Sequence, residues 1–188
     1  MKNVLNKSEY YGLTVWFTGL SGAGKTTISS LARKQLEIDG YRVLVLDGDD
    51  VRTRLHQNLG FSRADIIVHN RLISKLCFDE RCAHDVILVP IISPYQTLRA
   101  AAHSLLSPKF IEVYVSADIS VLEQRDTKGL YARAKSNKID NLIGYSSGSI
   151  YEPPLNADIT LETDQKTADE CARMLYEGII KKILASAA

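Results

Sequence analysis

Nine consecutive residues, Gly19 to Thr27 (GLSGAGKTT), carry the clearest chemistry in the chain. They fit G-x-x-x-x-G-K-[ST], with Gly19, Gly24, Lys25 and Thr26 in the fixed places. Glycines let a loop curl until its N–H groups converge on phosphate oxygens, and the start of the next helix adds unpaired N–H groups and a positive dipole end. The spacing therefore assigns Ser21, Gly22, Ala23, Gly24 and Thr27 to a phosphate cradle, sets Lys25 within reach of the β- and γ-phosphates of a bound nucleotide, and offers the Thr26 hydroxyl to Mg²⁺. A second candidate is Asp47-Gly48-Asp49. One carboxylate can hold a hydrated Mg²⁺ while the other accepts a hydroxyl proton; the same pair also suits a solvated acidic turn. Arg125, followed by Lys128, Arg133 and Lys135, supplies cations that a closing segment can bring onto a transferring phosphoryl group, although such runs also occur as solvated faces.

These residues need a scaffold, and the apolar pattern describes one. Leu13 to Thr18 reads as a buried strand ahead of the glycine loop, and Thr27 to Glu37 as the helix after it. Tyr41 to Leu46, Asp85 to Ile91, Phe110 to Val115 and Ile159 to Leu161 supply further strands. Helices are expected over 51–57, from Ser62 to about Ala83, from Pro94 to Leu106, over 118–125 and over 168–183. Near-continuous apolar strands alternating with helices predict an α/β fold of the P-loop NTPase kind: a doubly wound, mostly parallel sheet with helices on both faces. In such sheets ligands sit beyond the carboxyl ends of the strands, which gathers the glycine loop, Asp47 to Asp49, and Ile92-Ser93-Pro94-Tyr95 onto one rim.

The bulk composition narrows the function further. The chain has 188 residues, which suits one domain over 1–188, with 1–12 as a polar arm and 127–148, rich in Lys, Arg, Asn, Ser and Gly, as a mobile lid. Lys+Arg 23 against Asp+Glu 22 leaves no charge excess for coating a nucleic-acid polymer or a membrane. No apolar run approaches a membrane span, the start lacks a signal peptide pattern, and Cys77, Cys82 and Cys171 form neither a metal spacing nor a disulfide framework. A cytoplasmic location is the expectation. Asn137-Lys138-Ile139-Asp140 spells a guanine-reading N-K-x-D, but it follows no buried strand and is a coincidence of composition.

Taken together, GLSGAGKTT, LDGDDVR (Leu46 to Arg52), LGFS (Leu59 to Ser62), ISPY with Arg99 beyond it, FIEVYV, RDTKGLY (Arg125 to Tyr131) and YEPP (Tyr151 to Pro154) resemble the adenylylsulfate kinases. These enzymes phosphorylate the 3′-hydroxyl of adenosine 5′-phosphosulfate with Mg-ATP. The resemblance implies roles. Asp47 would help organise Mg²⁺ and Asp49 would be the base at the 3′-hydroxyl. Arg52 would contact the acceptor's phosphate, Phe61 would stack on its base, and Ile92 and Ser93 would line its pocket. Arg125 and Lys128 would serve the nucleotide and lid. It also implies a homodimer and a small nucleotide as the acceptor partner.

The departures from the family pattern fall on the acceptor side. Ile66 stands where the family has an arginine, His69 where it has an asparagine, and Leu142 lies in a stretch where it has an aromatic residue. The expectation is therefore a kinase of this kind with an altered acceptor pocket, for example for cytidine diphosphoramidate. A genuine adenylylsulfate kinase and a non-catalytic nucleotide-binding protein are the alternatives.

Overall fold

The computed structural model describes residues 11–55 and 57–185, so all but the last residues of the expected N-terminal arm lie outside the described residues. Five strands form one sheet: β1 (Leu13–Thr18), β2 (Val43–Val45), β3 (Val86–Val89), β4 (Phe110–Ser116) and β5 (Ile159–Glu162). Their spatial order is β2-β3-β1-β4-β5, and every pairing is parallel. The glycine loop follows the central strand, β1, and leads into helix α1 (Lys25–Ile38).

Side-chain alternation along β1 divides the core in two. Leu13, Val15 and Phe17 pack with α1 and with α7 (Ala168–Ala185), whereas Trp16 packs on the opposite side with Ile73 and Cys77 of α3 (Arg63–Glu80) and Ala102 and Leu106 of α4 (Gln96–Leu106). Both faces of the sheet are thus covered, as the apolar strands require. The remaining helices are α2 (Gly48–Leu55), α5 (Ile119–Arg125) and α6 (Leu130–Lys135). Caps fall where the sequence places them: Ser62 Oγ accepts from Asp65 N at the start of α3, and Asp118 accepts from Ser120 N at the start of α5.

Three elements differ from expectation. The second strand is only three residues long and half-buried, because as an edge strand it has β3 as its sole neighbour. Helix α2 begins at Gly48, so Asp49 stands in its first turn instead of in a free loop. Pro94 does not open α4; Tyr95 is its N-cap, and the Pro94 carbonyl accepts from the amide of Glu152.

Candidate active site

The cradle begins with backbone geometry. Gly24 adopts φ 100° as the N-cap of α1, a conformation that strains any residue with a Cβ. No side chain caps this helix end and no acidic residue occupies its first turn, which leaves its positive end open to an external anion. At Gly19 an added Cβ would lie 2.3 Å from the Val115 carbonyl oxygen, so the loop passes β4 too closely for a side chain.

Lys25 is buried, and its Nζ donates to the carbonyls of Gly19 at 2.8 Å and Leu20 at 2.7 Å. Burial, reinforced by the nearby Lys128 cation and opposed by Asp49 and Asp47, pulls its pKa down to about 7. Next to it, Thr26 Oγ1 donates to Asp47 Oδ2 at 2.8 Å, and Asp47 Oδ1 accepts from the amide of Asp49 at 3.0 Å. A hydroxyl and a carboxylate in contact, beside a phosphate cradle, are the hard oxygen donors Mg²⁺ takes when phosphate and water complete its shell. The residues present therefore fit Mg-ATP, and Thr26 and Asp47 are the ones that could hold the metal. Asp49 turns its carboxylate to Lys128, which donates to Oδ2 as an exposed ion pair.

A cavity of about 620 Å³ runs along this rim. Ser21, Gly22, Gly24, Lys25, Thr26, Thr27, Asp47, Asp49 and Lys128 line it together with Phe61, Ile92 and Leu142. The structure thus brings most of the expected nucleotide residues and part of the expected acceptor set to one wall.

Other expected residues stand back from that wall. Arg125 donates to the Thr163 carbonyl and to Thr163 Oγ1, and that hydroxyl in turn donates to the Ala23 carbonyl at 3.0 Å. Arg125 therefore meets the cradle through β5's end. Arg52 donates to the carbonyls of Leu59 at 3.1 Å and Gly60 at 2.6 Å and lies 4.7 Å from the Phe61 ring centroid. It orders the loop carrying Phe61, whose side chain is 54% exposed. Ile66 is buried against Tyr95, Leu98 and Ile143, and His69 is buried on the same helix.

Ser93, expected as a pocket residue, is 1% exposed and faces inward, where its Oγ accepts from Trp16 Nε1 at 3.0 Å. Its φ of 42° is left-handed, a conformation that costs a non-glycine residue about 1–3 kcal/mol.

The few large residues of the segment 127–148 pack into the protein. Asp126 accepts from the amides of Tyr131 and Ala132 and so starts α6. Tyr131 is buried, and its hydroxyl donates to the Ser21 carbonyl at 2.9 Å; burial first, then nearby carboxylates, push that phenol up to about 12. Leu142 and Ile143 are buried as well. Tyr131, Ile143 and Asn141 were left without a role by the sequence reading, whereas Arg133, expected among the lid cations, lines the cavity. Only Tyr131 had a signal there, as the single aromatic close after Lys128.

Comparison with known proteins follows the same lines. The pattern of the adenylylsulphate kinase family matches residues 11–162. The chain belongs to that family. It is 46% identical over 175 residues to the adenylyl-sulfate kinase of Halothermothrix orenii, covering 91% of each chain. It is 47% identical over 169 residues to that of Chloroflexus aurantiacus, covering 89% of each. Among solved structures, the Mycobacterium tuberculosis APS kinase CysC in complex with AMPPNP and APS superposes with a TM-score of 0.85 at 36% identity, over 90% of this chain and 98% of that one. A shikimate kinase from Acinetobacter baumannii, at 17% identity and TM-score 0.58, shares the fold alone. The chain is an ATP- and Mg²⁺-dependent kinase of adenylylsulfate kinase type. None of these relatives lends support to the altered acceptor expected from Ile66, His69 and Leu142; adenylylsulfate, the alternative, is the better match.

Proposed function

We propose that this kinase transfers the γ-phosphoryl group of ATP to the 3′-hydroxyl of adenylylsulfate, giving 3′-phosphoadenylylsulfate. The observation that carries the reading is the single cavity in which the phosphate cradle and Asp49 share a wall with Phe61, Ile92 and Leu142. Phosphoryl transfer asks mainly for positioning and charge. The loop amides and Lys25 hold the phosphates; Thr26 and Asp47 would hold the metal, which would supply charge neutralisation at the phosphates. Asp49 takes the proton of the attacking hydroxyl. Lys128 leaves Asp49 for the phosphates, so one movement frees the base and adds a cation to the transferring group.

The segment 127–148 closes over the site, and its amide hydrogens gain protection when nucleotide binds. The protein works in the cytoplasm as a homodimer; Val68 and Leu72, one turn apart on α3, are exposed apolar residues that a second copy could cover, and sedimentation would read the state.

A second reading, an altered acceptor such as cytidine diphosphoramidate, has one observation in its favour. Ile66 ends in an apolar cluster with Tyr95, Leu98 and Ile143 and offers no donor to a terminal anion. Mass detection of the 3′-phosphorylated product, with ATP, Mg²⁺ and each acceptor at micromolar concentration, separates the two. Turnover of the cytidine compound with none of adenylylsulfate would overturn the first.

A further inference from the structure

Arg99 lies on α4, outside the cavity, and is 2% exposed. A buried guanidinium has to be matched by acceptors, and those it meets come from three distant segments. Nη1 donates to the Ser93 carbonyl at 3.0 Å, Nη2 donates to the Glu152 carbonyl at 2.8 Å, and Nε lies 2.6 Å from Glu112 Oε1 on β4, an ion-pair contact outside hydrogen-bond geometry.

The two carbonyls belong to loops that are already stitched together. The Glu152 amide donates to the Pro94 carbonyl at 2.8 Å, and the Gln96 amide at the start of α4 donates to Glu152 Oε2 at 2.7 Å. On the sheet side, Thr18 Oγ1 spans the carbonyls of Ile92 at 2.8 Å and Ser93 at 3.1 Å. A hydroxyl has one proton to give, so the Tyr151 hydroxyl, 2.9 Å away, is the donor to Thr18. Every polar side-chain and carbonyl atom of Ser93 is thereby committed: the carbonyl to Thr18 and Arg99, the hydroxyl to Trp16.

Ser93 sits in a left-handed conformation that only its surroundings can maintain. Its neighbour Ile92 lines the cavity and gives its carbonyl to the amide of Gly19 at 3.3 Å. The direction in which Ile92 faces the cavity therefore depends on Ser93 staying strained. Of the groups that hold Ser93, Thr18 meets the Tyr151 hydroxyl, and Arg99 binds the Glu152 carbonyl and pairs with the Glu112 carboxylate of β4.

We infer that Arg99 is a positioning residue for the acceptor half of the site: it clamps the Ser93 carbonyl to the Tyr151–Glu152 loop and so fixes the Ile92 wall against which the acceptor nucleotide binds. The nucleotide half has its own supports in Lys25, Thr26–Asp47 and Arg125–Thr163. The role as an acceptor wall rests on the proposed function, whereas the clamp on Ser93 does not.

The chain offers an internal probe for separating these. Trp16 is its single tryptophan, so one indole N–H resonance reports the hydrogen bond to Ser93 Oγ. In Arg99→Lys a point charge replaces the fork that spans both loops. The expected result is a shift of that resonance and a rise of about tenfold or more in acceptor KM, with ATP KM changed by less than about twofold, the scale of losing one charge-assisted contact on one side of the site. An unmoved indole resonance in the folded variant overturns the clamp. A moved resonance with equal changes in both KM values overturns the assignment to the acceptor half. If the wild-type enzyme ignores adenylylsulfate, the proposed function fails, yet the indole resonance still tests the clamp and the KM comparison is made with the acceptor that is used. If Arg99→Lys does not fold, Arg99→Gln takes its place, since it buries no charge and keeps an amide donor, and the same readings decide.

Discussion

The two halves of the cavity are built differently. On the side proposed for ATP the groups available are backbone amides and one lysine for phosphate and a hydroxyl–carboxylate pair for the metal, and the Lys128–Asp49 contact is open to solvent. On the acceptor side the wall is backed by buried apolar packing around Ile66 and by a guanidinium that water does not reach. One half is a charge arrangement laid on a rigid loop; the other is an extension of the core. Removing a group from the first should cost rate with little stability, whereas removing one from the second should cost both.

The largest effect is expected at Lys25. Lys25→Ala should abolish transfer, with a loss of at least ~10³ in kcat, because it deletes the preorganised cation at the phosphates. The far-UV circular dichroism should not change. Near-normal turnover with any acceptor would remove Lys25 from the mechanism. Asp49→Asn should follow, lowering kcat by roughly 10²–10⁴ with ATP affinity nearly unchanged, as for loss of a general base. Should ATP binding collapse instead while kcat holds, Asp49 and Asp47 exchange roles.

A contrast in stability comes next. Ile66→Ala should cost about 2–5 kcal/mol, since it opens a cavity among Tyr95, Leu98 and Ile143. Lys128→Ala should cost no more than about 1 kcal/mol, because its pair with Asp49 is exposed. Urea unfolding of both proteins measures the difference. Equal losses would mean that the acceptor half is no more part of the core than the lid.

The same contrast explains what could be read from sequence. The phosphate cradle is local: Gly19 to Thr27 are contiguous, and their chemistry follows from a turn that only glycine permits. Both core faces were likewise legible, since alternation along β1 already separates Leu13, Val15 and Phe17 from Trp16. The acceptor half was legible only in part: Phe61, Ile92 and Leu142 line the cavity, but Arg52, Ile66, His69 and Ser93 do not. Ser93 was expected in the pocket from the resemblance carried by Ile92-Ser93-Pro94-Tyr95, but a left-handed turn directs its hydroxyl to Trp16, and no residue type announces that rotation. Arg99 meets Ser93, Glu112 and Glu152 through tertiary contacts that have no spacing rule. The packing inside the segment 127–148 was hidden for a related reason. The segment's composition is polar, yet the few large residues it has, Tyr131, Leu142 and Ile143, are the ones that pack.

The smallest effect is the most specific to the nucleotide half, and it concerns protons. Burial lowers the Lys25 pKa to about 7 in the free protein, well below the ordinary value near 10.4 for an exposed lysine. Between those values the unfolded chain binds more protons at Lys25 than the folded one, so this residue's contribution makes the fold more stable as pH rises from about 7. Nucleotide binding works in the opposite sense. Phosphate favours the charged amine, so the complex holds a Lys25 proton that the free protein has partly lost, and ATP binding takes up a proton just above pH 7. Affinity should accordingly weaken as pH rises, by less than about tenfold per pH unit because one proton is involved. Calorimetry between about pH 7.5 and 9, in buffers of different ionisation enthalpy, avoids most of the titration of a phosphate's own group near pKa 6 and counts the proton directly. Lys25→Met should abolish the uptake along with most of the affinity, whereas Lys128→Ala, which removes one of the influences that lower the Lys25 pKa, should move the uptake to higher pH without abolishing it. An uptake of zero in the wild-type enzyme would mean that Asp47 and Asp49 hold Lys25 fully charged before nucleotide arrives, and the nucleotide half would then be preorganised in charge as well as in shape.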